Sequence, residues 1–128
     1  MGILGTVILA FLVIHLVNFW GEMKFGGLDN TVYTTESGQE VKDLYTLTVR
    51  TFQDAETGLL WAFIYGVSML AIGFHLYHGF GSGFQSLGIN HPQYNKFVRR
   101  VGVYVFAILI PLLFAIIPFY IYFVLEKV

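Results

Sequence analysis

Three stretches without a single charged side chain, Gly2–Trp20, Gly58–Phe80 and Val101–Leu125, constrain this chain more than any other feature. The shortest of them spans roughly 28 Å as an α-helix, about one bilayer hydrocarbon core. In lipid every backbone N–H and C=O needs an internal partner, so each stretch is expected to be a transmembrane helix. The fold class is therefore an all-α membrane protein with three transmembrane helices. Composition agrees: 56% of the 128 residues are hydrophobic and 12% charged, with a mean hydropathy of +0.69, which excludes an ordinary soluble domain. Gly2–Trp20 has neither the basic flank nor the small-x-small site of a cleaved leader. Met1 leads straight into it, as an internal methionine of a longer chain would.

The two connecting segments differ in charge. Segment 21–57 carries Glu22, Asp29, Glu36, Glu40, Asp43, Asp54 and Glu56 against only Lys24, Lys42 and Arg50. Its turn chemistry lies at Gly26–Asn30 and Glu36-Ser37-Gly38. Val41, Leu44, Tyr45, Thr48 and Phe52 recur at helical spacing, which predicts a short amphipathic helix on the membrane surface. Segment 81–100 is read as a loop, opened by Gly81-Ser82-Gly83 and turned at Asn90-His91-Pro92, with Lys96, Arg99 and Arg100 and no acid. Basic residues near spans stay inside, so the N-terminus and this second loop are expected in the cytoplasm and the C-terminus outside. Trp61 and Tyr77 suit interfacial anchoring. Pro111 and Pro118 lie two turns apart on the third helix, where they free backbone carbonyls.

The chain has no cysteine. Disulfides, thiolate-bound iron–sulfur clusters and covalent c-type haem are thereby excluded. A net charge of −1 points to no nucleic-acid partner. What remains for coordination chemistry is histidine, amid 13 Phe, 8 Tyr and 2 Trp whose flat rings can face lipid or a planar cofactor.

His15 and His75 lie within the first and second spans, and a coordinating side chain there is costly enough to imply a role. Interhelical hydrogen bonding, at about 1 kcal/mol, is one role. Axial ligation of haem b is another, since that cofactor asks only for imidazoles and an apolar slot. Ser68, Ala71, His75, Gly79 and Ser82 form a small-residue stripe that suits a porphyrin face or close helix packing equally. Depth separates the two histidines. His15 lies roughly 20 Å from the inner surface and His75 about 6 Å from it, a gap of about 14 Å that excludes one shared iron. Two haems stacked across the membrane are the consistent arrangement, each lacking a second ligand. His78 cannot supply it to the iron of His75, because side chains at i and i+3 leave one face of one helix.

Phe74-His75-Leu76-Tyr77-His78-Gly79-Phe80, Ser82, Phe84-Gln85 and Leu87-Gly88-Ile89-Asn90, with Leu12-Val13-Ile14-His15-Leu16, resemble the single-subunit di-haem cytochrome b of bacterial succinate dehydrogenases and fumarate reductases. The resemblance covers the whole chain and matches the last three of that family's five helices. It implies a membrane-anchor subunit of the bacterial inner membrane. Flavoprotein and iron–sulfur subunits would dock on the cytoplasmic side, and electrons would pass between succinate and a quinone, commonly menaquinone. It further implies that His15 is a metal ligand of the outer haem b and His75 of the inner one, the other two imidazoles coming from two N-terminal helices absent here. His78 stands where some relatives carry a non-ligating polar residue, and its expected role is toward a propionate or a proton path. Ser82 flanks the cofactor face. Arg99 and Arg100, with Lys96, offer charge for propionates or for a partner protein, or simply record positive-inside topology. His91 reads as a turn residue beside Pro92.

The rival readings are a haem-free anchor or assembly protein, whose histidines only join helices, and a proton-relaying transporter fragment. The second is disfavoured by the lack of any Asp, Glu, Lys or Arg in the spans.

Overall fold

The computed structural model describes residues 2–25, 32–88 and 91–126. The turn sequence Gly26–Asn30 and the pair Ile89-Asn90 lie outside the described residues. Four helices make up the architecture: α1 (Gly2–Phe25), α2 (Leu44–Gln53), α3 (Gly58–Ser86) and α4 (Gln93–Phe123). Helices α1, α3 and α4, of 24, 29 and 31 residues, are long and apolar enough to cross a membrane. The protein is a multi-pass membrane protein with three candidate spans, and α2 is the short helix between the first two.

Each span is longer than its uncharged stretch, and the reason is local. Helix α3 runs through Gly81-Ser82-Gly83 to Ser86, so the expected loop there is helical. Glycines at these positions cost a helix about 1 kcal/mol each. Aromatic packing offsets that cost: Phe80 stacks on Phe106 of α4 at 5.0 Å and meets Phe84 one turn on at 5.2 Å. Gly102 of α4 lies directly beneath the Phe80 ring, where a Cβ would clash at 2.1 Å. The helix stops at Gly88, whose φ of 71° supplies the left-handed cap. On the far side of that turn, His91 accepts the Gln93 N–H at 3.3 Å through Nδ1 and so caps α4, which Pro92 opens. The residues expected as the rest of the second loop are thus the first turns of α4.

Helices α3 and α4 form the principal contact. Gly58, Ala62, Gly66, Ser68 and Gly73 are buried along α3 together with Tyr65, so apart from that one ring its buried positions are small residues. At Gly73 the helix meets the backbone of α4 itself. A Cβ there would sit 2.7 Å from the Ala107 carbonyl oxygen, the group that Pro111, four residues later, cannot hydrogen-bond. Helix α4 takes wide π geometry over Gly102–Leu109 just before that proline, which accommodates the lost bond. A second π stretch, Leu16–Gly21, follows His15 in α1.

All four helices converge at one end. Phe52, Tyr65 and Ile121 form the buried centre, with Phe11, Ile14, Phe19, Trp61, Ile64 and Leu125 around it. Helix α2 is wedged there and buries Leu47, Val49 and Phe52. Leu44 and Tyr45, expected on its apolar face, are 50% and 63% exposed, and Val41 belongs to a strand. The face turned out differently because α2 packs on the ends of the other helices. Gln53 Nε2 donates to the carbonyls of Leu125 and Glu126, both at 3.1 Å, and so caps α4 from a distant part of the chain.

The expected helical class gains one element. Strands β1 (Val32–Thr34) and β2 (Glu40–Lys42) pair antiparallel in the register Val32↔Lys42, Tyr33↔Val41, Thr34↔Glu40. Thr35 closes the turn by accepting the Gln39 N–H on Oγ1, and Gly38 takes a φ of 80°. Lys42 Nζ donates to the Met23 carbonyl in the last turn of α1, a cation where the helix dipole favours one.

Two carboxylates hold the junctions of α2. Asp43 accepts from the Thr46 hydroxyl at 2.6 Å and its N–H at 3.0 Å, and these bonds hold its carboxyl below the ordinary carboxylate range. Asp54 accepts from the Thr57 N–H at 2.7 Å and hydroxyl at 2.8 Å, with the same effect. Because both are depressed in the folded state, their contribution is fully present above about pH 4 and lost as pH falls through the folded values. Protection factors across residues 44–57, taken relative to the intrinsic exchange rate at each pH, are expected to be flat from pH 7 to 5 and to fall below about pH 4, with α3 and α4 unaffected.

The Gly73 contact gives a second expectation. Gly73→Ala should destabilise the α3–α4 pair by about 1–3 kcal/mol in a detergent-unfolding titration, while Gly79→Ala on the same helix should not. Nothing lies within 4 Å of a Cβ at Gly79.

Candidate functional site

The histidines of the spans occupy separate levels. His15 lies on α1 opposite Tyr65 of α3, with its Nδ1 3.5 Å from the tyrosine hydroxyl. Phe11 and Phe19, one turn to either side on α1, hold the imidazole between rings at 5.9 and 5.1 Å. The outer flank of His15 is exposed on the chain's surface. An apolar cleft of about 350 Å³ opens beside it between α1, α3 and α4, lined by Phe11, Tyr65, Met69, Ile72, Leu76 and Pro111 among others.

His75 is on α3, ten residues beyond Tyr65, which is about 15 Å along the axis. The two imidazoles therefore lie about as far apart in depth as helical rise predicts. His75 is half-buried, and its Nδ1 is fully enclosed with no hydrogen-bond partner among the described residues. A buried polar atom left in that state costs about 1–3 kcal/mol. The stripe that carries His75 divides at this point. Ser68 is buried and donates to the Ile64 carbonyl at 2.7 Å, whereas Gly79 faces open space and Ser82 is exposed. Close helix packing is done by a different stripe, Gly58 to Gly73, so the surface beside His75 is left uncovered toward its Gly79 end.

His78 is exposed and donates from Nδ1 to the Phe74 carbonyl of its own helix at 3.0 Å, which leaves Nε2 as the free acceptor. It lines a cleft of about 500 Å³ at the turn between α3 and α4, together with Tyr77, Phe80, Ser82, Gln85, Asn95 and Arg99. Three residues expected at a site, His78, Ser82 and Arg99, are thus brought to one cavity. Arg100 and Lys96 are exposed nearby and do not line it. His91 is the cap of α4 already described. No group of three or more His, Asp or Glu suited to a metal ion occurs among the described residues, so each imidazole in the spans offers a single ligand.

Tyr65 and Asn18 were not anticipated from sequence. Tyr65 is 7% exposed and packs edge-on against Phe11 and Phe52, each at 5.1 Å. Asn18 interacts with the same hydroxyl, although its Nδ2 reaches no partner at hydrogen-bond geometry. The signal was present in the spacing: Asn18 follows His15 by three residues on one helix face, and Tyr65 brings a hydroxyl into the apolar stretch Ala62–Val67.

Compared with models of protein families, with curated protein sequences and with solved structures, the chain gives no match.

Proposed function

We propose that this chain is haem-binding membrane anchor, the cytochrome b part of a bacterial succinate:quinone oxidoreductase of the succinate dehydrogenase or fumarate reductase kind. The observation that carries the reading is the missing partner of His75. A histidine that serves only to join helices must reach a donor or acceptor on a neighbour. His75 Nδ1 reaches none among the described residues, and the surface at Gly79 beside it is open.

Haem b, when bound, supplies a one-electron carrier of tunable potential. This chain's part is to present one imidazole at each of two depths, His15 and His75, to a cofactor whose other ligand comes from helices outside it. His78, Ser82, Arg99 and Arg100 provide polar and cationic groups for propionates near the level of His75. In this reading the basic turn between α3 and α4 faces the cytoplasm and the flavoprotein and iron–sulfur partners, the hairpin end faces outward, and menaquinone or another quinone is the membrane substrate. One observation favours the alternative of a haem-free anchor: the His15–Tyr65 contact joins α1 to α3 without any cofactor.

A reduced-minus-oxidised visible spectrum of the purified complex discriminates the two. A sharp b-type α-band is expected, lost in part in His15→Ala and in different part in His75→Ala. A complex that assembles without the band would leave the haem-free anchor standing. Gly79→Leu adds a side chain where nothing lies within 4 Å. It should leave thermal unfolding within about 1 kcal/mol of the parent while lowering haem content at the His75 level.

A further inference from the structure

We propose that Tyr65 is the positioning partner of His15, its hydroxyl oxygen accepting the Nδ1 proton so that the Nε2 lone pair stays free to bind iron. The final step rests on the cytochrome reading, whereas the pairing itself does not. Three observations carry it. The Tyr65 hydroxyl is 3.5 Å from His15 Nδ1, a separation that closes to full hydrogen-bond length with a small rotation of either ring. His15 is also held in azimuth: Phe11 and Phe19 flank its ring on α1, and both meet the Tyr65 ring edge-on at 85°. Finally, the surroundings offer little competition. Apart from Asn18, the side chains packed around this level are apolar, so the Tyr65 hydroxyl is the side-chain oxygen from another helix that lies within reach of Nδ1.

The contrast with the two histidines of α3 is chemical. His78 sends its Nδ1–H to the backbone of its own helix, and His75 Nδ1 has no partner. Among these three, only His15 is fixed by a side chain from another helix. A hydrogen-bond acceptor on the distal N–H of a ligating imidazole selects the tautomer and raises the basicity of the other nitrogen. That stabilises the oxidised metal, so removing the acceptor raises the potential.

Tyr65→Phe is the test, because it keeps the ring and its edge contacts and deletes one oxygen. In the complete complex, a spectroscopic redox titration should show the midpoint potential of one haem rise while the other stays at its parent value. In parallel, ¹⁵N-histidine spectra of the haem-free protein should show His15, assigned by its loss in His15→Gln, shift from a single Nδ1–H tautomer to a mixture. Two haems at parental potentials together with an unchanged His15 tautomer would overturn the proposal. A complex without haem counts against the cytochrome reading alone, since the ¹⁵N spectra still decide whether Tyr65 holds His15.

Discussion

The bundle depends on how closely α3 and α4 approach at Gly73. Between helices in lipid there is little hydrophobic driving force, so dispersion at short range and satisfied backbone groups must hold the pair together. Pro111 denies the Ala107 carbonyl its usual partner, and the missing side chain of Gly73 lets that oxygen lie against the neighbouring backbone. The wide turns of Gly102–Leu109 belong to the same solution, since they spread the disturbance over the helix before the proline. Glycine on one helix and proline on the other are complementary parts of one contact. Gly66 under Phe119 and Gly102 under Phe80 extend it toward the two ends.

Because that contact uses one face of α3, the face bearing His75 is left partly uncovered, from His75 toward Gly79. This separation gives the histidine stripe its meaning. In a sequence, small residues at helical spacing do not say whether a helix or something flatter lies against them. In three dimensions Ser68 answers one way and Gly79 the other: the first is enclosed, the second open. His75 stands at the boundary.

The spans and the fold class were legible because the bilayer imposes one local rule, an uncharged run of sufficient length, that needs no knowledge of neighbours. The ends of the helices were less legible. Gly81-Ser82-Gly83 reads locally as a break, and it is helical because Phe80, Phe84 and Phe106 stack across two helices, a contact that no local rule contains. The face of α2 failed similarly, as Leu47 and Val49 are buried by the ends of other helices while Leu44 and Tyr45 are not. Of the candidate site, the depth difference between His15 and His75 follows from helical rise alone. That His15 faces Tyr65, and that His78, Ser82 and Arg99 share a cleft, depends on azimuth, which spacing constrains only within a single helix.

The bond from Lys42 to the Met23 carbonyl has a mechanical consequence. Helix α1 has no fully buried residue, and near its start nothing lies within 4 Å of a Cβ at Gly2 or Gly5. Its other end is gripped twice, by the aromatic rings around Tyr65 and by the hairpin lysine. Such a helix is a beam clamped at one end. A lateral load on the Gly2 end is borne by the clamp, so His15, which sits at the clamp, is the part of α1 whose position the other described helices fix.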